Sequence, residues 1–362
     1  MWDEGSDLAS WIDRWAGHRP EALAIEFEEL RTTYSELSLR IAEVADWLHE
    51  QGVASGDRVA WLGTNNPAAI HLLLACSRLG AIFLPLNSRL VVSEHRWILQ
   101  DAEPQILIAE PMFYDHAQEA VQKNIVYRLD ELTEANHTST SPRVGRPSDA
   151  VLLAYTSGTT GTPKGALLTQ RSLASNAVNS AHAHDLTPQD RILTFLPLFH
   201  VGGLNIQTLP ALMTGASVLL HRAFDPGEWL RDVENWQPTW SLFVPATLNA
   251  VANHPQFEHT EMSSLKGLMA GSSTIPEAAT RPFFERGIPV GQVYGATETA
   301  PTAIVMRIDQ AHTRPTSCGK PATLCEVRIV DDDGTDVPSG TCLLYTSPSP
   351  RDQRGSGMAG CA

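Results

Sequence analysis

Residues 155–165 read Tyr-Thr-Ser-Gly-Thr-Thr-Gly-Thr-Pro-Lys-Gly, a stretch of three glycines, four threonines and one serine held between two apolar runs. The run before it, Val151-Leu-Leu-Ala154, and the run after it, Gly165-Ala-Leu-Leu-Thr169, read as strands. Glycine lets a backbone turn tightly and approach a ligand closely. Consecutive N–H groups and small hydroxyls then present donors to anionic oxygens, and Lys164 adds a positive charge. A phosphate-holding loop carried between two β-runs commits this part of the chain to a sheet. It is not a Walker loop, which needs glycine directly before its lysine and Ser or Thr after it. Here Pro163 precedes Lys164 and Gly165 follows. A flexible Gly/Thr linker is the bland alternative, and the flanking strands count against it.

The rest of the chain predicts an α/β fold. Apolar residues at helical spacing over residues 37–51 (Leu39, Ile41, Ala42, Ala45, Leu48) predict a helix stopped by Gly52. Residues 58–63 read as a strand, 67–79 as a helix opening on Pro67, and 81–86 as a strand. Residues 170–181 predict another helix; a further one runs from Pro276, suited to a first turn, to about Arg286, ahead of a strand at 288–293. Strand and helix alternating at this rhythm imply parallel sheets covered by helices. Residues 134–148, rich in Thr, Ser and Pro, read as a linker.

Composition narrows the function classes. A net charge of −15 argues against bulk nucleic-acid binding, and makes a local basic loop more notable. The start lacks a secretory signal, and the apolar stretch 70–86 is broken by His71, Arg78 and Gly80, so neither export nor a membrane span is expected. Cys76, Cys318 and Cys325 are scattered without a CxxC pair or zinc spacing. A cytoplasmic protein is expected.

Residues 156–165 resemble the signature loop of the adenylate-forming, AMP-binding superfamily, which includes acyl-CoA synthetases, luciferase and peptide-synthetase adenylation domains. Four further blocks follow the family's order: Arg31-Thr-Thr-Tyr-Ser-Glu-Leu37, Leu79-Gly-Ala-Ile-Phe-Leu-Pro-Leu-Asn87, Leu196-Pro-Leu-Phe-His-Val-Gly-Gly203 and Tyr294-Gly-Ala-Thr-Glu-Thr299. The resemblance covers about residues 8–340 and implies the family's large N-terminal domain: parallel sheets layered with helices plus an incomplete β-barrel.

By that resemblance ATP is held by Thr156, Ser157, Gly158, Thr159, Thr160, Gly161 and Lys164, with the loop donors and Lys164 on the departing pyrophosphate. Tyr294 stacks on adenine, Gly295 lies beside it, Thr297 serves the α-phosphate and Glu298 holds Mg²⁺. Gly271, Ser272 and Ser273 stand where relatives carry a Gly-Gly-Ala or Gly-Ala-Pro turn lining the nucleotide; Gly271 fits that pattern, and the serines depart from it. His200 takes the position of a histidine at the mouth of the carboxylate pocket, whereas amino-acid-activating relatives carry Phe-Asp there to meet an ammonium group. Phe199-His200, together with Asn87 in place of a common aspartate, implies a plain fatty or aromatic acid, with Gly202 and Gly203 leaving room for it. The implied catalytic set is Lys164, His200, Thr297 and Glu298. The implied reaction joins the acid to AMP and then to coenzyme A. An amino-acid-activating or luciferase-like relative, a non-catalytic nucleotide-binding fragment and an ordinary phosphate-loop NTPase are the rival readings.

Relatives continue past a segment like residues 326–340 into a ribose-binding aspartate, a hinge and a small C-terminal domain bearing a lysine. The expected organisation is therefore an incomplete AMP-binding domain at 1–341 followed by a disordered, artefactual tail at 342–362. Residues 342–352 resemble the translated read-through of a transposase sequencing adapter. The 362-residue chain is expected to be nearly inactive, the lysine-bearing domain being absent from it.

Overall fold

The computed structural model describes residues 6–122, 125–133, 141–156, 163–314, 317–331, 333–338, 340, 343–345 and 358–360. A hairpin of β1 (Leu23–Phe27) and β2 (Leu30–Thr33) comes first. Six strands then make one sheet: β3 (Arg58–Leu62), β4 (Ile82–Leu86), β5 (Ile106–Ala109), β6 (Ile125–Arg128), β7 (Ala150–Thr156) and β8 (Lys164–Thr169), in the order β6-β5-β3-β4-β7-β8. Seven more follow: β9 (Arg191–Thr194), β10 (Ser217–Leu220), β11 (Trp240–Phe243), β12 (Gly267–Gly271), β13 (Val290–Tyr294), β14 (Ile304–Met306) and β15 (Lys320–Pro321). With the hairpin they form a nine-stranded sheet ordered β15-β14-β13-β12-β11-β9-β10-β1-β2. The interior pairings of both sheets are parallel, and the antiparallel pairs β7–β8, β1–β2, β13–β14 and β14–β15 lie toward the edges.

Side chains alternate across a strand, and here the alternation sorts them into three cores. Val59, Trp61 and Phe83 of the smaller sheet share one core with Ile192, Val218 and Met269 of the larger, and the helices Tyr34–Glu50 and Pro67–Leu79 are buried in it. The intervening Ala60, Leu62 and Leu84 face a second core under the helix Val92–Ala102. Leu193, Leu268 and Ala270 face a third under Pro226–Asn235 and Glu277–Glu285. Each sheet is covered on both faces, which is why its central strands read as continuous apolar runs.

Local chemistry places the element ends. The first helix of the central layer starts at Tyr34, three residues before the apolar spacing predicts, because Thr33 and Glu36 form a reciprocal capping box: Thr33 Oγ1 accepts the Glu36 N–H at 3.2 Å and Glu36 Oε2 accepts the Thr33 N–H at 2.7 Å. The helix Pro67–Leu79 has its predicted bounds, with Asn66 Oδ1 accepting the Ala68 N–H at 2.9 Å and Gly80 closing it at φ 69°. Gln170–His184 runs past the expected Ala181 to end on Asp185 in a left-handed conformation. Pro276 is not in the first turn of its helix; it stands at the N-cap with extended ψ, one place before Glu277.

Part of the expected linker, residues 134–140, lies outside the described residues. The part from 141 to 148 is docked and not loose: Val144 and Gly145 donate to Arg78 O, and Arg143 meets Asp7 at 2.8 Å. No closed barrel appears among the described residues, since β14 and β15 extend the edge of the open nine-stranded sheet. Leu343–Tyr345 and Met358–Gly360 pair antiparallel outside both sheets. No described helix is long and apolar enough to cross a membrane.

Candidate active site

The carboxyl ends of strands from both sheets converge on one cavity of about 770 Å³. Its walls come from the loops that leave β3, β4, β9, β10, β11, β12 and β13, the edge at which open parallel sheets present ligand-binding groups. β7 runs parallel to β4, so the loop that leaves Thr156 emerges at this same end.

The wall carrying residues 196–203 is held by side chains that no local pattern announces. Asn65, 4% exposed, accepts the Leu198 N–H on Oδ1 at 2.8 Å. Its Nδ2 donates to Leu196 O at 3.1 Å and His221 O at 3.0 Å, so one amide ties the end of β3 to the ends of β9 and β10. Beside it Glu110, 3% exposed, accepts from Thr64 N–H (2.9 Å), Thr64 Oγ1 (2.8 Å), Asn66 Nδ2 (2.9 Å) and Arg222 (3.1 Å). Partial burial works against the Arg222 charge, but its bonds and charge contacts with Glu28 and Glu110 outweigh this and hold its pKa above the ordinary arginine value. On the far side Asn176 Nδ2 donates to Asn205 O at 2.6 Å while its Oδ1 accepts the Thr302 N–H at 2.8 Å, joining the acyl wall to the segment after Pro301.

His200 stands exposed at the rim and caps the turn Val201–Gly203, its Nδ1 accepting the Gly202 N–H at 3.1 Å. That bond leaves the neutral ring's proton on Nε2. Gly203 lines the cavity and also lets the backbone close up: a Cβ there would lie 2.4 Å from Pro197 O and 2.5 Å from Leu196 O. Phe195, Phe199, Phe224, Leu242 and Val244 make the interior largely apolar. The loop after β4 supplies Asn87 and Arg89. His95 anchors that loop, its Nε2 donating to Asn87 O at 3.0 Å while its Nδ1 meets His116 Nε2 at 2.7 Å; burial pushes its pKa down to about 4.

The opposite wall is the segment after β13. Gly295, Ala296 and Thr297 line the cavity, and Gly295 admits no side chain because a Cβ would overlap Pro301 O. Thr299 Oγ1 accepts the Ala296 N–H at 2.9 Å and fixes the turn Thr297–Thr299, which lies against β8. Thr297 is buried and Glu298 exposed on this turn. Tyr294 is half-buried at the end of β13 and does not line the cavity. Gly271 ends β12, with no room for a Cβ against Val293 O at 2.8 Å, and Ser272 follows with φ 75°, a left-handed conformation unusual outside glycine. Both line the cavity; Ser273 is exposed and does not.

Of the loop residues, Thr156 is buried at the end of β7, its Oγ1 donating to Lys164 O at 3.4 Å, and Lys164 is exposed as the first residue of β8. Ser157, Gly158, Thr159, Thr160 and Gly161 lie outside the described residues. Lys164, His200 and the Thr297–Glu298 turn thus come from different strands to one end of the molecule. The one group among the described residues with three potential metal ligands, His221, Glu228 and Asp232, does not include Glu298, and Arg231 already pairs with both of its carboxylates. Sequence reasoning missed Asn65, Glu110, Asn176 and Arg222. The only local signal was the Asn65-Asn66-Pro67 string, which announces a helix cap and not a clamp.

Comparison with known proteins agrees with this geometry. The family described as AMP-binding enzyme matches residues 12–342. An indoleacetate–CoA ligase from Aromatoleum aromaticum is 42% identical, the match covering 95% of this chain and 70% of that protein. A feruloyl-CoA synthase from Amycolatopsis is 39% identical over 92% of this chain and 68% of its own. Among solved structures, the N-terminal domain of FACL13 from Mycobacterium tuberculosis superposes with a TM-score of 0.87 at 26% identity, covering 91% of this chain and 86% of that one.

Proposed function

The chain belongs to the family of AMP-binding enzymes, and on that premise we propose that it activates an aromatic carboxylic acid as its acyl-adenylate and passes the acyl group to coenzyme A. A carboxylate oxygen of the acid attacks the α-phosphorus of ATP, and pyrophosphate leaves. The thiol sulfur of coenzyme A then attacks the acyl carbon, and AMP leaves. The observation that carries the reading is the single cavity of about 770 Å³ with an apolar, phenylalanine-rich interior, His200 at its rim and the Gly295–Thr297 segment as its far wall. An aromatic acid suits that interior, and the 42% identical relative that acts on indoleacetate supports the same class.

The family resemblance assigns each residue's part, and position and charge support those of Lys164, His200 and Glu298. Lys164 and the loop from Thr156 stabilise the departing pyrophosphate; a fixed cation acts where negative charge is released. Thr297 binds the α-phosphate and Tyr294 the adenine. His200, with its proton on Nε2, donates to the acid's carboxylate and orients it; no carboxylate follows Phe199 to meet an ammonium group. Glu298 suits Mg²⁺, being a hard oxygen donor in an exposed turn where waters and substrate phosphates complete the coordination. That ion, when bound, neutralises phosphate charge. The enzyme works in the cytoplasm, where both nucleotide and thiol substrates are present.

Acid-dependent exchange of pyrophosphate into ATP, by this chain joined to a lysine-bearing C-terminal domain, tests the reading across indoleacetate, ferulate, 2-succinylbenzoate, fatty acids and amino acids. Exchange with one or more aromatic acids and none with amino acids is the expected outcome. Exchange driven best by an amino acid, or ATP hydrolysis to ADP without any acid, sinks it.

A further inference from the structure

Behind the acyl wall, Leu204–Thr208 forms a single π-helical turn. Such turns insert one residue into a helix and are frequent at functional sites. This one carries Gln207, 2% exposed. Neither its Oε1 nor its Nε2 meets a hydrogen-bonding partner among the described residues. The neighbouring hydroxyl is satisfied by contrast: Thr208 Oγ1 donates to Gly203 O at 2.7 Å and lies 3.0 Å from Thr194 Oγ1. A buried primary amide left without partners is costly, and native proteins rarely keep one without a reason.

Gln207 lines a chamber of about 10 Å³, the space one water fills. Phe195, Leu196, Gly203 and Leu242 wall this chamber and the acyl cavity alike, so the two spaces adjoin. Asn205, on the same turn, also has an unpartnered amide but lines neither space. The location of Gln207 is what sets it apart.

We propose that Gln207 is a specificity-determining residue: with one water in its chamber it forms a polar subsite for a hydrogen-bonding group on the acid's ring, a phenolic hydroxyl or a ring N–H. This rests on the acid-activating reading above. An amide offers both a donor and an acceptor, so it can serve either group directly or through the water. The surrounding apolar walls contribute affinity without telling a hydroxylated ring from a bare one. A site that carries a buried polar group discriminates far better, because the analogue lacking a partner leaves that group unpaired.

Calorimetric binding of matched acids to the wild type, Gln207→Leu and Gln207→Glu tests the subsite. The pairs are indole-3-acetate against naphthalene-1-acetate, and 4-hydroxycinnamate against cinnamate. The wild type should favour the polar member of at least one pair by about tenfold. Gln207→Leu should bring that ratio to about one while keeping affinity for the apolar member. Gln207→Glu retains the acceptor and should retain the preference. An unchanged ratio in Gln207→Leu, or no preference in the wild type, overturns the subsite. Equal loss of both affinities in both variants marks a structural amide and overturns it too. Acid-dependent pyrophosphate release by the wild type joined to a lysine-bearing C-terminal domain is measured alongside: a binding preference without release supports the subsite and sinks the acid-activating reading alone.

Discussion

Asn65 and Lys164 stand at the same end of the six-stranded sheet, one following β3 and the other opening β8. Asn65 is buried and uses both ends of its amide on the backbone of the acyl wall. Lys164 is exposed, as is Glu298 on the turn packed against its strand. Glu110 and Asn176 extend the first pattern, being buried and bonded on several sides. His200 and Ser272 extend the second, at exposed positions on the rim. The acid side of the cavity is therefore prebuilt by internal hydrogen bonds that contribute to folding stability. The nucleotide side places its charges in water, where they cost the folded protein little until a polyphosphate arrives. Damage to the first side should appear as instability, and damage to the second as lost chemistry.

The largest effect separating the two sides should come from Lys164→Ala. Adenylation should fall by about 10²- to 10³-fold, with a melting temperature close to that of the wild type; pyrophosphate exchange and calorimetric melting read the two quantities. Glu298→Gln should behave likewise, with a raised magnesium requirement. If either variant melts as early as an Asn65 variant, the contrast between the sides is wrong.

Asn65→Leu should do the reverse. Stranding the Leu198 N–H and the carbonyls of Leu196 and His221 should cost about 2–4 kcal/mol of stability, measured by denaturant unfolding. A weaker KM for the acid should accompany it, with the nucleotide KM little changed.

Acid should act on the folded frame in the same way. Burial depresses the pKa values of His71, His95 and His184 to about 3, 4 and 4, all below the ordinary histidine value of 6.5. Each is neutral in the folded state, while the unfolded chain takes up a proton near pH 6.5. Stability is thus fully present above about pH 6.5 and declines as pH falls toward about 4. Melting followed across that interval should show the loss, and His71→Leu should remove part of its slope.

The smallest effect is Ser272→Gly. Relief of the left-handed backbone at φ 75° should stabilise the protein by at most about 1 kcal/mol. A lowered melting temperature would show that the Ser272 side chain holds the turn in place.

Much of the fold was legible because its determinants are local. Pro67 and Leu79 bound their helix as read, and the capping box of Thr33 and Glu36 was present in the string even though apolar spacing alone set that helix too late. The apolar runs gave β3, β4 and β7 within about two residues. Positions 294–299 were legible through their resemblance to a family block, and the structure brings Gly295 and Thr297 to the cavity wall. Gly203 lines the cavity, but the close approach of the Pro197 and Leu196 carbonyls, which also requires glycine there, was not legible, because a glycine's neighbour in space is not its neighbour in sequence. Of the three residues read together, Gly271 and Ser272 line the cavity and Ser273 does not, since which side of a turn faces inward depends on the wall opposite.

The string of residues by itself determined the layered α/β architecture, the glycine- and threonine-rich loop with its lysine, and the order of the blocks that resemble the family's nucleotide-binding blocks. Periodicity, caps and a charged glycine loop act over a few residues, so they survive in one dimension. Only the tertiary structure decided that Asn65 lines the cavity, that Glu110 and Asn176 brace the segments around it, and that Gln207 lines the adjoining chamber. The groups that the Asn65, Glu110 and Asn176 side chains bond lie 29 to 156 positions away. A buried polar group is defined by what surrounds it, and that neighbourhood exists only once the two sheets have closed on their shared core.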